Sequence, residues 1–241
     1  MAEPPTISAP KVLSAREQVA RHLRRLIFDG ELAVGARLPS EERLGEMFGV
    51  SRATVREALR TLAAENLIET TRGSSGGSRV AAPSLGSLAA TLESNMRLLV
   101  AAEDVTLPEL LEARRTLEVP ATSLAAARRD DEDLGRMRAA LVAEDADVTS
   151  SRQFDLHRDF HAAVLGACGN RLLGLSAQPI FVVLQTRLGG RRDDPAFQDS
   201  INVHHLAIVE AIEQQDAERA AFEMARHLDY LRPHYERIWR A

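Results

Sequence analysis

The stretch LPSEERLGEMFGVSRATVREAL, residues 38–59, decides how the N-terminal part of the chain is read. Ser40 is a natural N-cap for a short helix carrying Leu44 and Met47–Phe48, and Gly49 is its natural stop. Ser51 caps a second helix, in which Val55, Leu59 and Leu62 form a buried line. Arg52, Arg56 and Arg60 recur at i, i+4 and i+8 on another face. Two short helices joined by a glycine-containing turn, the second with a basic face, is the helix-turn-helix plan. An arginine row alone is equally well a solvated helix surface, so the capped turn is what gives the stripe its meaning.

The same logic extends outward. Ser14 caps AREQVARHLRRLIFDG, whose Val19, Leu23, Leu26 and Ile27 fall on one stripe and whose Gly30 ends it. After the second helix, LIETT (67–71) and SRVA (78–81) read as short strands around the Gly/Ser-rich RGSSGG, a wing. Residues 1–13 form a Pro-rich arm, expected to be disordered, and AAPSLGS (81–87) is a Pro/Gly/Ser break. The expected organisation is a winged helix-turn-helix at 14–82, a linker at 83–87 and an all-helical domain at 88–241.

Beyond the break no period-two alternation stands out. Apolar residues recur at helical spacing over roughly 87–102, 107–128, 131–145, 151–168, 171–188, 195–214 and 216–239. The short loops predict an antiparallel bundle of sequential helices. The fold class is therefore mainly α, a winged helix-turn-helix followed by an all-α bundle. Residues 1–83 carry 12 Lys+Arg against 10 Asp+Glu, whereas the remainder carries 18 against 25. The two modules thus suit different partners. No apolar run reaches membrane-spanning length, the N-terminus lacks a secretory pattern, and the one cysteine, Cys168, excludes an internal disulfide framework. These features predict a cytoplasmic protein that does not engage the membrane.

Within FDLHRDFHAAV (154–164), His157 and His161 stand four residues apart and share a helix face. With 7 His in the chain, about 0.2 such pairs arise by chance, so the pair alone decides nothing.

The segment from Ser14 to Val80 resembles the winged helix-turn-helix of GntR-type bacterial transcription regulators, in particular the FadR-like group. The resemblance rests on LPSE, GVSRATVREAL, L..ENLIE and the glycine-rich wing, in the family's order. It implies that Ser51, Arg52, Thr54 and Arg56 read the major groove and that Gly73 lies near the minor groove. The family usually places arginine two residues after the capping serine and glutamate three after. This chain reverses them to Glu42 and Arg43, which leaves Arg43 as a further candidate contact.

The remainder resembles the helical FCD effector domain that accompanies this winged helix. The signposts are ELLEARRTLE (109–118), FHAAVLGACGN (160–170), HLAIVEAIEQQDAERA (205–220) and MARHL (224–228). Many FCD domains hold a divalent metal with three histidines and one aspartate. Position by position, the histidines fall on His161, His205 and His227, and the aspartate's place is taken by His157. Neutral imidazoles favour Zn²⁺ or Ni²⁺ over Mg²⁺ or Ca²⁺. Four of them leave the cation's charge uncompensated, so an anion, most simply a small organic-acid effector, is expected there. Arg114 aligns with the family's arginine and is the candidate for a second contact to that anion. Its alternative is an i,i+4 pair with Glu118. Asn170 is divided between pocket and helix cap.

The resemblance implies a homodimeric repressor that binds a palindromic operator and releases it when an effector docks. Two rivals remain. In one the metal itself is the signal, making the chain a zinc or nickel sensor. In the other the chain is a zinc hydrolase, disfavoured because the residue after His157 is Arg158, where zinc peptidases place a glutamate base.

Overall fold

A computed structural model describes residues 13–71, 77–144, 150–188 and 195–239. The arm expected over 1–13 lies, but for Leu13, outside the described residues, as does Gly73. The chain forms two compact units, residues 1–83 and 84–241.

In the first unit each helix starts on a serine. Ser14 and Glu17 cap one another's backbone at the start of α1 (Ala15–Phe28). Ser40 opens α2 (Glu41–Phe48) by accepting from the Arg43 N–H, and Ser51 opens α3 (Arg52–Ala64) by accepting from the Thr54 N–H. The turn between α2 and α3 is fixed by two glycines. Gly49 adopts a left-handed φ of 64°, which an L side chain disfavours. Gly45 has no room for a side chain, because a Cβ there would stand 2.9 Å from the Val50 carbonyl oxygen. Val55, Leu59 and Leu62 of α3 then pack with Val19 and Leu23 of α1 and with Leu44 of α2. Met47 is exposed; one residue on, Phe48 packs against the core.

The wing is a two-stranded antiparallel sheet, β1 (Ile68–Thr71) against β2 (Gly77–Val80), with Ile68 opposite Val80. Ile68 and Val80 both point into the core and close its open side. Backbone bonds from Leu38 to Ser78 (2.8 Å) and from Val80 to Ala36 (2.8 Å) tie the chain just before α2 to β2.

The second unit is all helix: α4 (Leu85–Ala101), α5 (Leu107–Arg128), α6 (Asp131–Glu144), α7 (Ser150–Ala167), α8 (Arg171–Leu188), α9 (Pro195–Glu213) and α10 (Ala217–Trp239). Ser84 caps α4 through the Ser87 N–H, so the helix already runs through most of the stretch read as a linker. The Glu109 carboxylate accepts from the Thr106 N–H, and Pro108 stands in the first turn of α5.

The neighbour relations are richer than sequential packing. α6 and α7, and α9 and α10, do pack as consecutive pairs, but α4 packs on α8, and α5 packs on α7, α8, α9 and α10. Fully buried Ala121 and Ala125 allow neighbouring helices to come close to α5. α5 is thus central, and its inward residues face three helices that carry histidines.

Replacing Leu62 by alanine is expected to cost about 2–5 kcal/mol, and Gly49→Ala about 1–2 kcal/mol. Both would appear as lowered urea midpoints in circular dichroism. An unshifted midpoint for Leu62→Ala contradicts its place at the centre of the first unit's core.

Candidate functional site

Four histidines from three helices meet inside the second unit. His157 and His161 are one turn apart on α7, His205 is on α9 and His227 on α10. One ligand nitrogen from each ring lies within 4.8 Å of all the others. His161, His205 and His227 are fully buried and His157 nearly so. The Nε2 atoms of His161 and His227 are 3.2 Å apart, and those of His205 and His227 are 3.3 Å apart. Four nitrogens each about 2.0–2.1 Å from a tetrahedral Zn²⁺ stand about 3.3–3.4 Å from one another.

The electrostatics fit the same occupant. Burial, followed by neighbouring rings and Arg114, holds all four imidazoles well below the ordinary histidine value. They are therefore neutral and able to ligate at pH 7. Neither ring nitrogen of His157 has a hydrogen-bond partner, nor does Nδ1 of His227. Buried polar atoms of this kind are costly unless something satisfies them. A divalent cation among the four rings would take one nitrogen from each, and so one of the two on His157. The residues present fit a metal of the zinc or nickel type, not a hard cation that prefers oxygen.

A row of buried side chains orients the site from α5. The Glu118 carboxylate lies 2.6 Å from Nδ1 of His161, which points Nε2 toward the other rings. Burial pushes Glu118 up to about 7, against the pull of Arg114. Arg114 donates from Nε to Glu118 (2.6 Å) and from Nη1 to the Tyr235 hydroxyl (3.3 Å). Its guanidinium carbon lies 4.2 Å from the centre of the Phe181 ring, and Nη2 is 3.1 Å from Nε2 of His161. Arg114 thus forms the i,i+4 pair with Glu118, and its guanidinium also faces the histidines. Phe160 stacks on His205 with centroids 3.8 Å apart and walls off the opposite side.

Asn170 takes the capping alternative. It is exposed, and its side-chain oxygen accepts from the Leu172 N–H at the start of α8. His204 is outside the four-ring group and packs edge-on against Tyr230. Tyr235 and Phe181 were not singled out from sequence. Tyr235 was legible in principle, since it follows His227 by eight residues on α10, two turns along the same face.

In the first unit Ser51, Arg52 and Arg56 are exposed and Thr54 half-buried at the start of α3. The Ser51 and Thr54 hydroxyls lie 2.9 Å apart. Arg56 is paired with Glu41 at 2.7 Å, and Arg52 with Glu42. Arg43 is exposed on α2 and paired with Glu46 at 2.8 Å.

Residues 15–77 match the gntR family of bacterial regulatory proteins and residues 109–230 match the FCD domain. The chain is 30% identical to the putative L-lactate dehydrogenase operon regulatory protein of Escherichia coli K12, over 93% of this chain and 87% of that one. It is 29% identical to the Uxu operon transcriptional regulator of the same organism, over 92% and 87%. Among solved structures, Streptococcus agalactiae GntR superposes with a TM-score of 0.58 at 27% identity, over 91% of this chain and 99% of that one. These relatives are regulators and not enzymes, which sets the hydrolase reading aside. With both segments present in order and similarity along nearly the whole length, the chain belongs to the GntR family of bacterial DNA-binding transcription regulators, in the group that carries an FCD domain.

Proposed function

We propose that this regulator is a homodimeric repressor of a palindromic operator, and that a small carboxylate effector binds at a metal held by His157, His161, His205 and His227. The observation that carries the reading is the convergence of three Nε2 atoms at 3.2 and 3.3 Å beside a fourth, unpartnered buried imidazole. When bound, zinc or nickel supplies a positive centre with room for an anion.

The chain's own residues do the rest. Glu118 fixes His161, and Arg114 presents a guanidinium edge to the same space. A guanidinium and a dication repel one another across so short a gap. A carboxylate lying between them satisfies both, which is why an organic acid fits better than a neutral ligand. The E. coli relative's name refers to an L-lactate dehydrogenase operon, so L-lactate and other small hydroxycarboxylates are the first probes. Operator affinity then changes by the difference in effector affinity between the free and DNA-bound forms. The sensor alternative has no observation of its own in favour of it; operator binding that tracks free metal with no organic acid present would establish it.

Natively purified protein is expected to contain about one zinc or nickel per chain by elemental analysis. His161→Ala should lose it while keeping its helical circular dichroism, and His157→Asp should retain it. Metal-free wild-type protein purified without chelator contradicts the assignment.

A carboxylate effector is expected to raise the melting temperature of metal-loaded protein with the logarithm of its concentration above Kd, and to leave chelator-stripped protein unmoved. Arg114→Lys, which keeps the charge but loses the fork, should retain metal and weaken the shift about tenfold in effector concentration. Equal shifts in loaded and stripped protein contradict the docking.

A further inference from the structure

The face of the DNA-reading element carries four exposed arginines, and none of them stands alone. Arg43 is paired with Glu46 at 2.8 Å, Arg56 with Glu41 at 2.7 Å, Arg60 with Glu57 at 2.6 Å, and Arg52 with Glu42. Two of these glutamates belong to the arginine's own helix. Glu41 and Glu42 instead reach across from the first turn of α2 to the start of α3. Four cations against four carboxylates leave the stripe with no net charge, although its sequence reads as basic.

Neutrality has a consequence for binding. Affinity for DNA of any sequence comes from cations on phosphates and the counterions they displace. A paired carboxylate offsets that contribution, and one held beside a phosphate is repelled by it. A guanine edge differs, because its two acceptors match the arginine fork and reward breaking the pair. The Glu41 carboxyl, hydrogen-bonded by Arg56, is held below its ordinary range and stays ionised.

We propose that Glu42, supported by Glu41, is a specificity-determining residue. It holds Arg52 at the head of α3 and removes charge from the reading face, so that duplexes offering only phosphates bind weakly. Discrimination is gained by suppressing the non-specific competitor, a repulsive element of specificity. The proposal rests on α3 being the DNA-contacting helix.

The test uses full-length protein, a random-sequence duplex and an operator recovered by selection from a random library. Glu42→Gln keeps the size and an acceptor for Arg52 but removes the charge. It is expected to raise affinity for the random duplex about threefold to tenfold at low salt. Operator affinity should rise less, so the specificity ratio falls. The slope of log affinity against log salt on the random duplex should steepen by about 0.9, as for one added phosphate contact. Glu31→Gln, the same charge change outside α2 and α3, should do neither. Unchanged affinity for the random duplex in Glu42→Gln, or an equal rise in Glu31→Gln, overturns the proposal. Arg52→Ala tests the underlying reading separately: loss of operator binding upholds α3 as the contacting helix, and full retention removes it.

Discussion

The buried contact between Glu118 and His161 is the constraint on which the second unit's organisation depends. A carboxylate and an imidazole, both fully buried and 2.6 Å apart, are unfavourable in a core unless each is satisfied on its other side. Arg114 satisfies the carboxylate, and Tyr235 and the face of Phe181 in turn take up Arg114. What remains unsatisfied lies in the imidazole cluster: both ring nitrogens of His157, beside Nε2 atoms of His161, His205 and His227 that face one another at hydrogen-bond distance, in rings whose burial keeps them neutral. Neutral rings can share protons only in part, so lone pairs are left over. A cation held by the four rings, as proposed above, would use those lone pairs.

This constraint also accounts for the architecture. Three helices must each deliver a ring to a common point, and a fourth must orient them. α5 does the orienting because alanines on its buried side allow α7, α8, α9 and α10 all to pack on it. Pro120 stands inside α5, Pro179 inside α8 and Pro233 inside α10, yet the helices continue through them. Proline within a helix is costly in isolation; here packing on several sides holds the helices together.

Much of this was legible in the sequence, for reasons that differ by element. The helix-turn-helix was readable because its determinants are local: Ser40 and Ser51 as caps, and Gly49 where the backbone turns left-handed. The helical spans were readable because apolar residues recur at helical spacing with no competing period of two. The partners of α4 and α5 were not, since loop length says which helices can be neighbours and not which are. Motif positions singled out His161, His205 and His227. The extent of the support behind them was hidden, because Tyr235 and Phe181 are ordinary core residues until Arg114 is placed between them. The pairing of Arg52 with Glu42 was equally hidden, since ten residues of sequence separation give no sign that the two side chains meet.

The central claim is that the four imidazoles share one ion. X-ray absorption at the metal edge of natively purified protein tests it most directly. The account predicts a shell of nitrogen scatterers at about 2.0–2.1 Å with the outer-shell scattering of several imidazole rings. An edge with only oxygen or sulfur neighbours, or no metal edge at all, would contradict it.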